Sequence, residues 1–421
     1  MKISFECDYN NGAHPRVMKH LMATNDKQSL TYGFDEWSEN AKEKIRLACG
    51  LPNADIYFIS GGTQANIVVI DSMLMSCEAV ITAETGHINV HEAGAIEGSG
   101  HRVIALPAHN GKLSVEDLKS FMERFENDES REHLAQPGMV YITFPTEYGT
   151  IYKAEEINAI YQLCRRHHLH LFIDGARLGY GLMSDACDIS LPWLARHCDA
   201  FYIGGTKVGA LCGEAVVFTH ENAPKHIFSN IKRHGALLAK GRLTGVQFEA
   251  LFTDNLYFDI SRHAIIMANK LKLILQETGF QLFIDSPTNQ QFAIIPNDLM
   301  HKLEKKVLFT HWEPYDDNHF VCRFVTSWAT TTQDLDLLKR ILQQCKMEKY
   351  RITKSKTFHL QLIKTQYKVA IVQCRLVKTL SSCANYLCFS ICLSISDNRG
   401  LPGIDRNSGK DELSFLSYST C

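Results

Sequence analysis

Two short apolar runs between residues 169 and 217 each lead into polar and small residues. The first run, Leu169–Ile173, is followed directly by Asp174, and the second run, Ala200–Ile203, is followed after two glycines and a threonine by Lys207. Apolar runs of this length are typical of buried parallel strands. Since ligands of open α/β sheets bind beyond the carboxyl ends of the strands, we expect Asp174 and Lys207 to face one crevice.

The same alternation of strand-like and helical stretches extends over much of the chain, and it indicates an α/β fold with a mostly parallel sheet. The further predicted strands of this sheet are Ile56–Ile59, Ala79–Ala83, Arg102–Leu106, Met139–Phe144 and Glu214–Phe218. The predicted helices include Pro15–Asn25, Glu36–Cys49, Val115–Phe125, Ala154–His167 and Leu191–His197. Residues 249–279 are predicted to form a helix pair that leads into a smaller α+β domain, with strands Gln291–Ile295 and His319–Phe324.

These patterns predict three regions: an N-terminal segment with a large domain (1–248), a small C-terminal domain (249–346) and a tail (347–421). From residue 346 onward the chain holds twelve lysines and arginines against five acidic residues. Its apolar run, Ala384–Ile395, is interrupted by polar residues and is short for a membrane span. The tail is either an appended module or sequence outside the original reading frame, and we favour the second interpretation.

The overall composition favours a small-molecule enzyme. The formal net charge is −2, so nothing favours a nucleic acid or an anionic membrane surface as partner. The N-terminus lacks the apolar stretch of a secretory signal, and the fourteen cysteines are scattered without a C-x-x-C pair. We therefore expect free thiols and a cytoplasmic location. The histidines near residue 168 lack a regular ligand spacing, and we predict no metal site.

A glycine turn upstream suggests a phosphate site. The sequence SGGTQAN at 60–66 stands between the strand Ile56–Ile59 and a helical run. Such a turn aims backbone N–H groups at a phosphate, and the Thr63 hydroxyl adds a donor. By itself, this glycine turn is also typical of a segment that only connects a strand to a helix. Together with Asp174 and Lys207 it predicts pyridoxal 5'-phosphate, with the lysine forming a Schiff base and the carboxylate keeping the ring nitrogen protonated.

The motifs resemble those of L-threonine aldolases of the low-specificity type. These are pyridoxal-phosphate enzymes of the β-eliminating lyase group, with the aspartate aminotransferase-like fold type I. The resemblance covers roughly residues 5–345 and rests on GGTQAN (61–66), GHINVHEAGAIE (86–97), IDGARLGYG (173–181) and YIGGTKVGA (202–210). It implies cleavage of L-threonine or L-allo-threonine, a β-hydroxy-α-amino acid, to glycine and acetaldehyde. It also implies a homotetramer that serves threonine catabolism and glycine biosynthesis.

The resemblance also implies roles for single residues at the cofactor. Lys207 corresponds to the Schiff-base lysine, Asp174 to the partner of the ring nitrogen, and His87 to the histidine stacked on the ring. His87 is in addition the candidate base for the substrate hydroxyl. Besides these three, the expected cofactor contacts are Gly62, Thr63 and Gln64 on the phosphate loop, and Arg242 as a further phosphate contact across a subunit boundary.

The substrate carboxylate is expected to bind to Arg177, Arg323 and Asp8. A planar guanidinium suits this role because it can bind a carboxylate with two parallel hydrogen bonds. One departure concerns Cys7, which stands where many members of the family carry a serine, since a thiol donates hydrogen bonds weakly. The sequence around the lysine, GGTKVGA, also differs from the SKGL of better-known aldolases. His133 falls near a position where some members carry a second active-site histidine.

Two alternatives remain open at the level of sequence. The first is a β-eliminating lyase that acts on serine- or cysteine-type or aromatic amino acids. It would use Lys207 to remove the Cα proton and would release pyruvate and ammonia. The second is a protein that binds the cofactor without turnover. His87 and Arg177 favour the aldolase over the first alternative. The complete set of these two residues with Lys207 and Asp174 favours an enzyme over the second.

Overall fold

A computed structural model describes residues 2–346 and 361–369 of the protein. The chain divides into two compact units, Met1–Met347 and Glu348–Cys421. In the second unit residues 361–369 are helical. The rest of the predicted tail, including the apolar run at 384–395, lies outside the described residues. Of the helices in the described residues, none is both long enough and apolar enough to span a membrane.

The first unit contains fifteen strands. They are β1 (Ile3–Ser4), β2 (Asp55–Ile59), β3 (Glu78–Ala83), β4 (Val103–Leu106), β5 (Ala108–His109), β6 (Lys112–Leu113), β7 (Gln136–Thr143), β8 (His170–Asp174), β9 (Ala200–Gly204), β10 (Glu214–Phe218), β11 (Gln281–Ile284), β12 (Gln290–Pro296), β13 (Val307–Leu308), β14 (Thr310–Asp316) and β15 (His319–Val325).

The helices of the first unit lie between and beside these strands. They are α1 (Pro15–Thr24), α2 (Glu36–Cys49), α3 (Gly62–Met73), α4 (His87–Val90), α5 (Ala95–Gly98), α6 (Val115–Glu126), α7 (Ala154–Arg166), α8 (Leu178–Leu182), α9 (Leu191–Ala195), α10 (Ile227–Arg233), α11 (Arg242–Leu251), α12 (Leu256–Glu277) and α13 (Asn297–Leu303). A 3-10 helix spans Arg131–His133, and residues 332–346 form a last helix.

The large sheet has seven strands in the order β2-β10-β9-β8-β7-β3-β4. All of its neighbouring pairs are parallel except the two made by β10. Every residue of β9 and β10 is buried, which explains why these strands are apolar except for Glu214 at the start of β10. The predicted α/β fold with a mostly parallel sheet is confirmed. Strands β8 and β9 run side by side, so their carboxyl ends reach the same edge of the sheet.

Capping residues and apolar periodicity explain where the helices on this sheet begin and end and which face they bury, as α2 shows. In α2, the Asp35 side chain accepts the N–H of Ser38 at 2.9 Å, and Gly50 ends the helix with φ of 63°. An N-cap bond of this kind contributes about 1 kcal/mol, and a positive φ favours glycine. The helix buries Ala41, Ile45 and Cys49 in the main hydrophobic cluster, one residue per turn. The sequence prediction for this helix, 36–49, agrees with the structure.

A second, antiparallel sheet has the strand order β11-β12-β15-β14. Buried residues of this sheet pack in a second hydrophobic cluster, separate from the main one. The boundary between the two clusters falls within α12, where Ile265 packs in the main cluster and Met267 and Leu271 pack in the second. Phe5, near the N-terminus, also packs in this second cluster. The predicted domain boundary at residue 248 stays a prediction.

Candidate active site

One cavity of about 310 Å³ lies where the carboxyl ends of β8 and β9 meet the beginning of α3. Its volume is of the size that holds a small cofactor. The lining includes six of the predicted site residues: Gly62, Thr63, His87, Asp174, Arg177 and Lys207. Motifs up to about 140 residues apart in the chain (61–66 and 202–210) therefore meet in one site, as the strand pattern predicts.

Asp174 is buried at the end of β8 and surrounded by donors. Oδ2 accepts the Tyr141 hydroxyl at 2.5 Å and the Asn66 amide at 3.2 Å. Oδ1 accepts the Tyr202 hydroxyl at 2.5 Å and the backbone N–H of Ala176 at 2.9 Å. Burial would raise the pKa of Asp174, but the nearby His87 and these hydrogen bonds outweigh it and hold the pKa below its usual value. Asp174 is therefore a fixed negative charge in the cavity.

Lys207 follows β9 in the loop that closes the other side of the cavity. Burial and the neighbouring Arg177 lower the pKa of its ammonium group, although Asp8, Asp174 and Glu214 act in the opposite direction. A lysine with a lowered pKa is more often uncharged and is then a better nucleophile toward carbonyl groups. Its Nζ lies 5.9 Å from the centre of the Tyr9 ring, which also lines the cavity.

The beginning of α3 supplies backbone donors to the cavity. The N–H groups in the first turn of any helix have no acceptor within the helix, and here that turn starts at Gly62. A side chain at Gly62 would bring its Cβ within 3.2 Å of the Tyr202 hydroxyl, so the position suits glycine. Gln64 lies outside the cavity lining, and its side-chain oxygen accepts the Ser60 hydroxyl.

His87 is held by two acids that the sequence analysis did not single out. Its Nδ1 lies 2.8 Å from Oε1 of the buried Glu92, and its backbone N–H donates to Oε1 of Glu147 at 2.8 Å. The carboxylate partner assigns a proton to Nδ1 and leaves Nε2 as the acceptor nitrogen of the neutral ring. Glu92 also accepts the Asn66 amide at 2.7 Å, so His87 and Asp174 belong to one hydrogen-bond network.

Two predicted arginines, Arg177 and Arg323, are near enough for the charge of one to act on the other, and Arg177 also lines the cavity. Arg177 donates from Nε and Nη2 to Asp8 at 2.7 and 3.0 Å, and Asn289 donates to the same carboxylate at 2.9 Å. Burial would raise the pKa of Asp8, but Arg177 and Lys207 lower it overall. Asp8 therefore binds Arg177 and sets its orientation, while the Nη1 group of Arg177 is left out of this ion pair.

Arg323 is only partly satisfied. It donates to the Gln290 side chain at 3.1 Å and lies near the Thr310 hydroxyl at 3.2 Å, and its guanidinium lies 4.8 Å from the centre of the Trp312 ring. Its Nε is buried and has no hydrogen-bond partner among the described residues. Burial and the charge of Arg177 lower the pKa of Arg323 to about 10. Two close guanidinium groups with donors to spare are the chemistry expected of a carboxylate site.

Two further predicted residues lie elsewhere in this chain. Arg242 donates to the backbone carbonyls of Thr24 and Lys27 at 2.6 Å each, and it lies over the Trp37 ring, outside the cavity lining. A contact with the cofactor of another subunit stays a prediction. His133 lies in the exposed 3-10 helix, and the lining of the cavity does not include it.

Several side chains that shape the site were not predicted from the sequence: Tyr9, Asn66, His91, Glu92, Tyr141, Glu147, Tyr202 and Glu214. Glu92 and His91 stand inside the motif GHINVHEAG, which was their only signal. The two tyrosines are interior residues of strands. Tyr141 resembles an ordinary core aromatic in the sequence, and the only signal for Tyr202 was its place at the start of the motif YIGGTKVGA.

These residues fit pyridoxal 5'-phosphate. Asp174 supplies a permanent negative charge for a cationic ring nitrogen, Lys207 supplies an amine of lowered pKa for a carbonyl carbon, and α3 supplies backbone donors for a phosphate. The cavity is large enough to hold the ring, the carbonyl group and the phosphate of the cofactor together.

Comparisons with known proteins agree with this site. The sequence model of the beta-eliminating lyase family matches residues 12–344. A low specificity L-threonine aldolase of a Pseudomonas species is 27% identical over 334 residues, which cover 77% of this chain and 93% of that protein. The structure of Leishmania major threonine aldolase is 39% identical, has a TM-score of 0.78, and is matched over 81% of this chain and 99% of its own.

A more distant structure, the aspartate aminotransferase of Thermus thermophilus, is 15% identical with a TM-score of 0.61, and the match covers 82% of this chain and 91% of that one. At this identity the likeness concerns the fold alone. The predicted fold type I, the predicted resemblance and the predicted cofactor are confirmed. By its sequence and its structure, the chain belongs to the beta-eliminating lyase family.

Proposed function

We propose that the protein is a pyridoxal-phosphate-dependent aldolase that cleaves L-threonine and L-allo-threonine to glycine and acetaldehyde. The observation that carries the proposal is the pair of arginines, Arg177 and Arg323, beside the cavity that holds Lys207 and Asp174. An amino acid whose carboxylate binds this pair has its α-carbon directed toward the cofactor position. The relatives named as threonine aldolases support the same reaction.

Pyridoxal phosphate supplies an electron sink for the bond that breaks at the α-carbon. The chain's residues select which bond that is. Arg177 Nη1 and Arg323 hold the substrate carboxylate, and this contact fixes the rotation of the α-carbon. The negative charge of Asp174 keeps the ring nitrogen protonated, and the four donors around Asp174 hold that charge in place.

His87 is the proposed base for the substrate hydroxyl. Because Glu92 accepts the proton of Nδ1, the opposite nitrogen, Nε2, can take a proton, and the carboxylate stabilises the resulting imidazolium. Loss of the hydroxyl proton is what allows the Cα–Cβ bond to break and acetaldehyde to leave. The α-carbon gains a proton in place of the one lost from the hydroxyl, and Lys207 in its ammonium form would donate it, so that glycine is released.

The quaternary structure and the compartment are part of the proposal. We propose a homotetramer, since large apolar side chains such as Met22, Leu30 and Phe34 are exposed by 71%, 69% and 57% near the N-terminal helices. We propose the cytoplasm, since buried thiols such as Cys164 and Cys198 are free, as is usual in reducing compartments. We also propose that residues 1–248 carry the cofactor contacts and that residues 249–346 contribute Arg323.

Identification of the products tests the proposal. The full-length protein with pyridoxal phosphate is incubated with L-threonine and L-allo-threonine and, in parallel, with L-serine and L-cysteine, with Lys207→Ala as the blank. We expect glycine and acetaldehyde, absent in the blank. Pyruvate or 2-oxobutyrate with ammonia and without glycine would show a β-eliminating lyase instead. A cofactor spectrum unchanged by every amino acid would indicate binding without turnover.

A further inference from the structure

Glu147 is a buried acid at the cavity that the proposed mechanism does not use. It follows β7 in the chain, is 6% exposed, and lines the cavity together with His87, Thr143 and Thr146. The backbone N–H of Gly149 donates to the Thr146 carbonyl at 2.8 Å, so the chain turns at Glu147. This turn brings the acid within hydrogen-bond distance of the backbone of His87, the proposed base for the substrate hydroxyl.

The hydrogen bonds of Glu147 use only one of its two carboxylate oxygens. Oε1 accepts the backbone N–H of His87 at 2.8 Å and the Thr143 hydroxyl at 2.7 Å. Oε2 has no hydrogen-bond donor among the described residues, yet it is not one of the buried side-chain atoms that lack a partner. Oε2 therefore reaches accessible space, and for a residue that lines the cavity and is otherwise buried this space is the cavity.

The cavity thus presents two proton acceptors that are both tied to residue 87. Nε2 of His87 is the acceptor nitrogen of the neutral ring, since Nδ1 faces Glu92. Oε2 of Glu147 is the second acceptor, and Oε1 of the same carboxylate is bonded to the His87 backbone. Burial raises the pKa of Glu147, and the Thr143 hydrogen bond and the nearby His87 offset this only in part. A carboxylate with a raised pKa is a stronger base.

The two proposed substrates differ in a way that two acceptors can serve. L-Threonine and L-allo-threonine have the same configuration at Cα and opposite configurations at Cβ. When the arginines hold the carboxylate and the Cα–Cβ bond has the direction required for cleavage, the methyl group of both substrates can occupy one place only if the hydroxyl group changes its place. A site with acceptors in two places can bind the hydroxyl group of either diastereomer.

We propose that Glu147 is a second catalytic residue, which accepts the hydroxyl proton of one diastereomer at Oε2, while His87 accepts that of the other at Nε2. The inference rests on the proposed function and deepens it, because it assigns the cleavage of both diastereomers to two separate acceptors.

The step at Glu147 is balanced in protons and electrons. The O–H bond of the substrate breaks and its proton goes to Oε2. The electron pair of that bond forms the C=O bond of acetaldehyde, and the pair of the Cα–Cβ bond passes to the electron sink. Glu147 then releases its proton to water in the cavity, and the ammonium form of Lys207 protonates the α-carbon as before.

The test compares kcat/KM for L-threonine and L-allo-threonine in the full-length protein and in Glu147→Gln. Glutamine keeps an oxygen that can accept from His87 and Thr143, so the turn should stay in place, but its amide cannot take the proton. For one diastereomer kcat/KM should fall by roughly 10²–10⁴-fold, the usual contribution of a positioned base, and for the other it should fall much less. His87→Asn should shift the ratio of the two values in the opposite direction.

Two further measurements separate a base from an acid that is only structural. Thr143→Val removes one donor from Oε1 and leaves Oε2 free, so its effect should be equal for the two diastereomers. The exchange of a glycine α-proton with deuterated solvent needs no acceptor for a hydroxyl group. Glu147→Gln should therefore exchange this proton at the rate of the natural protein.

The outcomes distinguish the inference from the proposed function. Equal losses for the two diastereomers in Glu147→Gln, unchanged kinetics for both, or a parallel loss of glycine exchange would overturn the inference and leave the proposed function intact. Cleavage of only one diastereomer by the natural protein would also overturn the inference, and it would narrow the proposed function to that substrate. If the natural protein formed no glycine and acetaldehyde from either substrate, both would be wrong.

Discussion

Asp174 and Arg323 are charged residues at opposite ends of the site, and their surroundings differ. Asp174 accepts four hydrogen bonds from the protein itself, two of them from tyrosine hydroxyls at 2.5 Å. Arg323 has two neutral partners at 3.1 and 3.2 Å, and its buried Nε has none among the described residues. The surroundings lower the pKa of both groups, which favours the charge of Asp174 and disfavours that of Arg323.

The comparison shows that the Asp174 end of the site is preorganised by the protein, whereas the Arg323 end has donors that only a ligand can use. Around Asp174 the protein has already stabilised the charge that the cofactor will meet, so binding requires little rearrangement. Around Arg323 the repulsion by Arg177 is offset in part by Asp8, and an arriving anion would relieve it further and could pair with the free Nε donor. Substitutions at Asp174 should therefore affect the protein and its chemistry together, and substitutions at the arginine end should affect mainly substrate affinity.

The largest effect is expected from Asp174→Asn. The amide cannot hold the ring nitrogen protonated, and kcat should fall by roughly 10²–10³-fold, the range for loss of one preorganised electrostatic partner. One of the two tyrosine hydroxyls would also lose its acceptor, at a cost of about 1–3 kcal/mol in the free energy of unfolding. Steady-state kinetics and thermal unfolding measure the two effects.

Tyr202→Phe is the matched control for this substitution, because it removes one donor from Asp174 and keeps the charge. It should lower kcat much less than Asp174→Asn does. If the two variants were equally impaired, or if Asp174→Asn kept the kcat of the natural protein, the description of Asp174 as the preorganised charge would be wrong.

Much of the fold was predictable because strand and helix periodicity is a local property of the sequence. The direction of β10 and the presence of β14 were not predicted. The loop 205–213 is shorter than the dozen or so residues that a parallel crossover needs, so the antiparallel direction of β10 had a signal in its loop length. Strand β14 contains Pro314 and is at the edge of its sheet with an irregular register there, where a proline is tolerated.

The candidate site was predictable where its residues stand at the end of a strand or just beyond it, and not where they lie in the interior of one. Lys207 and Asp174 stand out because each comes at the end of a buried apolar run and small residues follow or surround it, which leaves room for a cofactor. Tyr141 and Tyr202 are strand residues whose hydroxyls matter only because β7, β8 and β9 are neighbours in the sheet. That neighbourhood is a long-range property of the fold.

A smaller effect is expected from Arg323→Gln at the other end of the site. Loss of a charge-assisted hydrogen bond to the substrate carboxylate, about 1.5–3 kcal/mol, should raise KM for L-threonine roughly ten- to hundredfold. The free energy of unfolding should change by only about 1 kcal/mol, because the present partners of Arg323 are neutral.

Arg323→Lys sharpens this comparison, since lysine keeps the charge and loses the planar fork. Its KM should lie between that of the natural protein and that of Arg323→Gln, with a similar thermal unfolding midpoint in all three. A KM unchanged in Arg323→Gln would show that Arg177 alone binds the carboxylate. A large loss of stability in that variant would show that Arg323 is a structural residue.

The smallest effect is expected from Cys7→Ser. This variant tests whether a stronger hydrogen-bond donor near the arginines increases the affinity for the substrate. Cys7 is next to Asp8, and the charge of Arg323 acts on it. Burial raises the pKa of its thiol, so the group is neutral and donates weakly. A serine hydroxyl donates better and should lower KM by roughly two- to tenfold, corresponding to about 0.5–1.5 kcal/mol, with kcat unchanged.

Cys212→Ser is the matched control, because Cys212 lines the same cavity at the Lys207 end and has no place at the carboxylate. Its KM should equal that of the natural protein. A fall in KM confined to Cys7→Ser would mean that the substrate end of the site is still short of donors, as the unpaired Nε of Arg323 suggests from the opposite side. Equal KM values in all three proteins would mean that the two arginines already satisfy the carboxylate, and the contrast between the two ends of the site would then concern charge alone.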